Sequence, residues 1–304
     1  MSFLSQLDAD KYPRTAFDSF APDAPFKLGN AVAMAWMSQL SYETAGRNDA
    51  KIKTIADRWS LQATVFAHTF SSKLPMTSAR GIVAVGAKAI VVAFTGTEPL
   101  SLHDWILDFE VRLSVDDVQS GYQAAVDGAW GAIKPAIEAN VADGKALFFA
   151  GHSMGGALAV IAAARAAKEN VDVTAVYTLG GARSGGAAFA GAYPPGDRTF
   201  RLVYGDDMVT ALPPLLLGYR HVGRMLLCPR GKTFSEATLS PAGEDNRHLD
   251  SILLTGFGDL TDRQGLTRKY PLRSPEIAAF FRLLPPGIAD HIPDSYLDAL
   301  GHTP

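Results

Sequence analysis

Gly151-His152-Ser153-Met154-Gly155 matches the pattern G-x-S-x-G, in which a serine stands on a sharp strand-to-helix turn with its hydroxyl exposed. A serine hydroxyl is inert at neutral pH until a base takes its proton. The motif therefore asks for an acid and then a histidine downstream, in that order. Gly205-Asp206-Asp207-Met208 follows an apolar run, so Asp206 and Asp207 both stand at the C-terminal end of an expected strand, where open α/β sheets carry their chemistry. Seven histidines compete to be the base. His152 lies inside the motif, His68 and His103 precede the acid, and His302 is in the tail. His221, His248 and His291 remain. The chemistry implied is acyl transfer on Ser153, with the backbone N–H of Met154, at the start of the following helix, offered to a developing oxyanion.

The elements that must position these groups follow from patterning. The apolar run ALFFA (146–150) leads into the motif and the helical run ALAVIAAARAAKE (157–169) leads out. NAVAMAWMSQLSY (30–42) has Val32, Trp36 and Leu40 at helical spacing. GIVAV (81–85) and AIVVAF (89–94) read as strands joined by a tight turn at Gly86-Ala87-Lys88. A helical stretch spans 121–139, and VTAVYTL (173–179), TFRLVY (199–204) and RMLLC (224–228) read as further strands. Strands that alternate with helices and are apolar almost throughout belong to a sheet covered on both faces. The expected class is α/β, a mostly parallel central sheet with helices on both faces. With no repeat or low-complexity linker, 1–304 is expected to form a single domain, with 1–25 as an N-terminal extension.

Composition narrows the partners. Of 304 residues, 47% are hydrophobic and 19% charged, enough to bury a large core. The net charge of −3 gives no basic surface for nucleic acid or an anionic membrane. Cys228 is the single cysteine, so no intrachain disulfide is expected. The start, MSFLSQLDADKYPR, lacks the basic and apolar regions of a cleavable signal. That fits a cytoplasmic protein or one exported without such a signal. No run of about 18 apolar residues predicts a membrane span. No histidine spacing suggests a metal ligand set, and no cofactor is expected. The acidic stretch GEDNRHLD (243–250) reads as a solvated loop.

Several ordered blocks together resemble the class 3 lipase family, the fungal triglyceride lipase type in a bacterial-style version. AIVVAFTGT (89–97), DWILDF (104–109), VQSGY (118–122), GHSMGG, VYTLGGARSGGAAFA (176–190), GDDMVTALPP (205–214) and GYRHVG (218–223) match the family's blocks in order. The resemblance implies the α/β-hydrolase fold with a lid segment. Its triad falls on Ser153, on Asp207 with Asp206 in reserve, and on His291, since ADHIPDSYLDAL (289–300) resembles the Asp-His-x-x-x-x-Tyr-x-x-x-Leu element of bacterial members. RHLDSILL (247–254) has the fungal spacing and keeps His248 in reserve, whereas His221 matches a non-catalytic position. The resemblance also implies Thr97 as the side-chain oxyanion residue and Asp108 as the group behind it. It places a lid over EPLSLHDWILDFEVRL (98–113), where Trp105, Ile106 and Phe109 are acyl-binding candidates. PPLLLGY (213–219) and 252–287 are other segments able to cover a cleft. Thr95, Gln119 and the missing proline in GARSG depart from the family pattern. The implied function is hydrolysis of acylglycerol esters at a lipid–water interface. The alternatives are acyl hydrolysis of other esters, including phospholipids, and a non-catalytic binding protein on the same fold.

Overall fold

The computed structural model describes residues 6–69, 78–97, 113–114, 116–242 and 286–302. Among them, eight strands form one sheet, in the order β1 (Gln62–Thr69), β2 (Ser78–Val85), β3 (Ala89–Phe94), β4 (Ala146–His152), β5 (Ala175–Leu179), β7 (Thr199–Tyr204), β9 (Arg224–Cys228) and β10 (Leu239–Ala242). β6 (Gly185–Gly186) and β8 (Tyr219–Arg220) pair separately. Strands β3, β4, β5, β7 and β9 run parallel, and the pairs at the two edges are antiparallel. The expected tight turn between β2 and β3 is present, with Gly86 N–H donating to Ala89 O at 2.8 Å. Parallel neighbours need long crossovers. Helix α3 (Ser120–Val141) supplies the one before β4, and α4 (Met154–Lys168) the one after it.

The alternation of β4 divides the core into two layers. Leu147 and Phe149 join the cluster that holds α3 and α4. Phe148 and Ala150 join the opposite cluster, with α1 (Leu28–Ser41) and α2 (Asp49–Arg58). Buried aromatic side chains of this kind contribute about 1.5–3 kcal/mol each. Helix α1 is buried on every side from Asn30 to Ser41, although its spacing suggested one apolar face. The residues preceding it supply the extra cover: Leu7, Tyr12 and Ala16 are buried. The buried carboxylate of Glu43 accepts from Leu7 N–H at 3.0 Å, from Tyr12 OH at 2.8 Å and from Lys51 Nζ at 2.9 Å.

Register decides where the chemistry emerges. Phe94 pairs with Gly151, Gly151 with Thr178, and Leu179 with Leu202. The segments that leave β3, β4, β5 and β7 therefore surface side by side along one edge of the sheet. They carry Thr97, Ser153, Gly180 and Asp207.

Candidate active site

Ser153 stands between the end of β4 and the start of α4 with φ 60° and ψ −131°. Few non-glycine residues hold such a backbone, which costs on the order of 1–3 kcal/mol. Two flanking glycines allow the turn: a Cβ on Gly151 would lie 2.1 Å from Gly155 O, and one on Gly155 2.3 Å from Phe94 O. The Ser153 N–H donates to Leu179 O at 2.9 Å, which ties the turn to β5. Met154 is the first residue of α4, so its N–H has no acceptor within the helix. The Thr97 hydroxyl lies 3.8 Å from Met154 Sδ, so the turn after β3 touches the start of α4.

Asp207 follows β7 and caps a short 3-10 turn (Met208–Ala211), its Oδ1 accepting from Val209 N–H at 2.9 Å. It is fully buried. His291 Nδ1 lies 3.0 and 2.9 Å from its two oxygens, and Tyr296 OH donates to Oδ2 at 2.5 Å. A carboxylate only accepts, so Nδ1 carries a proton, and in the neutral imidazole Nε2 is the atom left with a lone pair. Ser153 Oγ and His291 Nε2 are both buried and make no hydrogen bond among the described residues. The structure thus brings Ser153, Asp207 and His291 to one edge of the sheet, with Thr97 and Met154 beside the serine.

Asp206 is directed elsewhere. Its carboxylate faces Arg230 Nη2 at 3.3 Å, and its N–H donates to Asp290 Oδ2 at 2.8 Å. The buried Asp290, next to His291 in the chain, holds Arg230 Nε with both oxygens at 2.9 and 3.0 Å. This ion pair pins the segment that delivers His291 against the loops after β7 and β9. His221 bonds Thr210 O through Nε2 at 2.8 Å. Burial, followed by Arg201 and Arg183, pushes its imidazolium well below the ordinary range. His248, Asp108, Trp105, Ile106 and Phe109 lie outside the described residues.

Two of the departures from the family pattern, Gln119 and Thr95, have structural uses, and Arg183, beside the missing proline, has one too. Gln119 caps α3, its Oε1 accepting from Tyr122 N–H at 2.6 Å. Thr95 donates to Ser41 O at 2.7 Å. Arg183, fully buried, donates to Ala211 O and to Pro213 O, the latter at 2.8 Å, and so staples the loop that begins at Asp207. Two residues that sequence reasoning did not assign complete the site. Tyr296 appears in the sequence only as a position in the closing element, yet it is a direct donor to Asp207. Gly180, the first residue after β5, has φ +57°, and a Cβ there would lie 2.4 Å from Asp207 Oδ2 and 2.9 Å from His291 Nδ1. Its place inside the block VYTLGGARSGGAAFA (176–190) was the available signal. Gly180→Ala is therefore expected to lower stability by at least about 1–2 kcal/mol from the left-handed backbone alone. It should also disturb the Asp207–His291 pair. Thermal unfolding and ester turnover measure the two effects separately.

Among the described residues, no three His, Cys, Asp or Glu side chains gather as a metal site. No described helix is long and apolar enough to cross a membrane.

Comparison with known proteins finds lipases. The family model for lipase (class 3) matches residues 91–217, a stretch that contains Thr97, Ser153, Gly180 and Asp207. Secreted mono- and diacylglycerol lipase 1 of Fusarium solani is 33% identical over 143 residues, covering 44% of this chain and 42% of that protein. Secreted mono- and diacylglycerol lipase A of Penicillium cyclopium is 27% identical over 199 residues, covering 62% and 64%. The matches span less than two-thirds of the length of either relative. Among solved structures, lipase II from Rhizopus niveus superposes with a TM-score of 0.59 at 18% identity, covering 75% of this chain and 91% of that one. At that identity the likeness speaks for the fold, which is the α/β-hydrolase fold. Motif order, family match and fold agree in making the chain similar to the class 3 lipases.

Proposed function

We propose that the protein hydrolyses carboxylic esters of acylglycerols through an acyl-enzyme on Ser153. His291 serves as base, Asp207 as the acid that orients it, and Thr97 with the Met154 N–H as oxyanion donors. The observation that carries this reading is the buried Asp207–His291 pair, which leaves Nε2 unpaired at the same sheet edge as the unpaired Ser153 hydroxyl. In the first step Nε2 takes the Ser153 proton while Oγ attacks the ester carbonyl carbon. Asp207 stabilises the imidazolium that forms. The carbonyl oxygen gains the negative charge, which the Thr97 hydroxyl and the Met154 N–H are assigned to stabilise, a donor of this kind being worth about 3–4 kcal/mol in related enzymes. As the tetrahedral centre collapses, the imidazolium returns the proton to the leaving alcohol. Water then attacks the acyl-enzyme with the same base, releasing the fatty acid and restoring Ser153.

The names of the Fusarium and Penicillium relatives, mono- and diacylglycerol lipases, support an acylglycerol substrate. One surface feature supports action at a lipid–water interface. Leu216 is 91% and Leu217 49% exposed, on a short turn (Leu215–Leu217) that continues the loop from Asp207. A third exposed apolar residue, Leu113, bridges to Gln119 in the layer that also holds β6 and β8. Exposed leucines side by side are costly in water unless another apolar phase meets them. The test compares wild type with a Leu216→Ser/Leu217→Ser variant on a soluble p-nitrophenyl butyrate and on a diacylglycerol emulsion. The expected result is turnover of both esters by wild type. The variant should keep the soluble activity and lose most of the emulsion activity. Turnover of the soluble ester alone by wild type would favour an esterase. Equal emulsion activity in the two proteins would remove the interface from the account.

A further inference from the structure

His152 precedes the nucleophile in the chain and its ring lies against that of the base, yet it takes no part in the steps above. Its Nε2 is 2.6 Å from the main-chain oxygen of His291, and its Nδ1 is 2.6 Å from the hydroxyl of Tyr42, the residue that ends α1. A carbonyl oxygen only accepts, so Nε2 carries the proton. Burial, and next the neighbouring His291, push the His152 imidazolium well below the ordinary range. The ring is therefore neutral, and the Nδ1 lone pair accepts from the Tyr42 O–H. The three groups form one directed chain: Tyr42 donates to His152, and His152 donates to the backbone of His291. The two imidazoles also lie against each other, with centroids 4.5 Å apart and planes 32° from parallel.

The same pair touches the oxyanion side of the site. A Cβ on Gly96 would lie 2.4 Å from Tyr42 OH, 2.5 Å from His152 O and 3.0 Å from Ser153 Cβ. His152 is bonded covalently to Ser153, whereas His291 lies 139 positions from His152 in the chain. The register between nucleophile and base must therefore come from noncovalent contacts, and His152 makes one from the nucleophile's own strand to the base's own backbone. We propose that His152 is a positioning residue for acyl transfer: steadied by Tyr42, its Nε2–H holds the His291 main chain, and its ring face holds the His291 imidazole, in line with Ser153. The role rests on the assignment of Ser153 and His291 made above.

Three variants test it: His152→Phe keeps a ring without a donor, His152→Gln keeps a donor near the place of Nε2, and Tyr42→Phe removes only the steadying hydroxyl. Misplacing a reacting group by about 1 Å costs about 10²-fold. Accordingly, kcat of His152→Phe on soluble p-nitrophenyl butyrate should fall by about 10- to 100-fold, with little change in KM. His152→Gln should recover part of that loss. Tyr42→Phe should show a smaller fall in kcat, also with KM unchanged. The rate at which a fluorophosphonate labels Ser153 should follow kcat across the set. An unchanged kcat in folded His152→Phe, or a loss carried by KM, overturns the proposal. So does a His152→Gln protein as slow as His152→Phe. If His152→Phe does not fold, Tyr42→Phe decides, and wild-type kcat there overturns the proposal. A wild type that takes no label at Ser153 overturns the underlying assignment as well, whereas a labelled wild type with unaffected variants overturns only the role of His152.

Discussion

Replacing Ser153 by alanine should lower kcat by about 10⁶-fold, by analogy with the loss of the nucleophile in other serine hydrolases. KM on a soluble ester should change far less. The size of the effect follows from the elbow. The residue holds φ 60°, it is fully buried, and the helix behind it begins with an N–H that no helical carbonyl uses. Alanine fits the same backbone, so the fold should be kept and the loss should appear in the chemical step. Residual turnover about 10³- to 10⁴-fold above water is expected from the oxyanion donors and binding alone. Single-turnover measurement with a p-nitrophenyl ester separates acylation from deacylation and reads the effect directly. A Ser153→Ala protein within about tenfold of wild type is incompatible with the covalent route, since that route requires this hydroxyl.

The second large effect belongs to the pair behind the serine. His291→Ala should cost nearly as much as Ser153→Ala, because the nucleophile and its base act as one unit. Asp207→Asn should cost about 10⁴-fold, since an amide in place of the carboxylate favours the wrong imidazole tautomer. The amide also meets Tyr296 OH and Val209 N–H, two groups that donate to Asp207. Asp206→Asn is the informative neighbour. Its side chain faces Arg230 rather than His291, so turnover should stay within a few-fold of wild type. The order His291→Ala, Asp207→Asn, Asp206→Asn, from most to least damaging, is checked by kcat/KM on a single soluble ester. Should Asp206→Asn prove the more damaging of the two aspartates, the assignment of the acid is wrong.

How much of this could be read from the sequence depended on how local each signal was. Strand β7 begins and ends where its apolar run does, because a strand buried on both faces announces itself residue by residue, and β9 coincides with its run although one of its faces is only partly buried. Ser153 was legible because strand, turn and helix are contiguous there. The choice between Asp206 and Asp207 was not settled by position at a strand end. It turns on Arg230 and Asp290, which claim Asp206 from distant points in the chain. His291 was reachable only through the resemblance of its closing element to the family. Gly180, Tyr296 and the Tyr42–His152 contact were beyond reach for one physical reason. Their roles are contacts between elements far apart in the chain, with the end of α1 and the helix Pro293–Ala299 meeting the loops at the strand ends, and Tyr296 stands 89 positions from the Asp207 it touches. Likewise, the all-round burial of α1 depends on the N-terminal residues that fold over it, which the helical spacing alone does not report.

The central claim is that Ser153 is the acyl-carrying nucleophile, and covalent labelling tests it most directly. Folded wild-type protein treated with a fluorophosphonate should gain the mass of a single adduct, and peptide mapping should assign that adduct to Ser153. Ser153→Ala should gain none under the same conditions. An unlabelled wild type, or an adduct of equal yield in Ser153→Ala, would contradict the account.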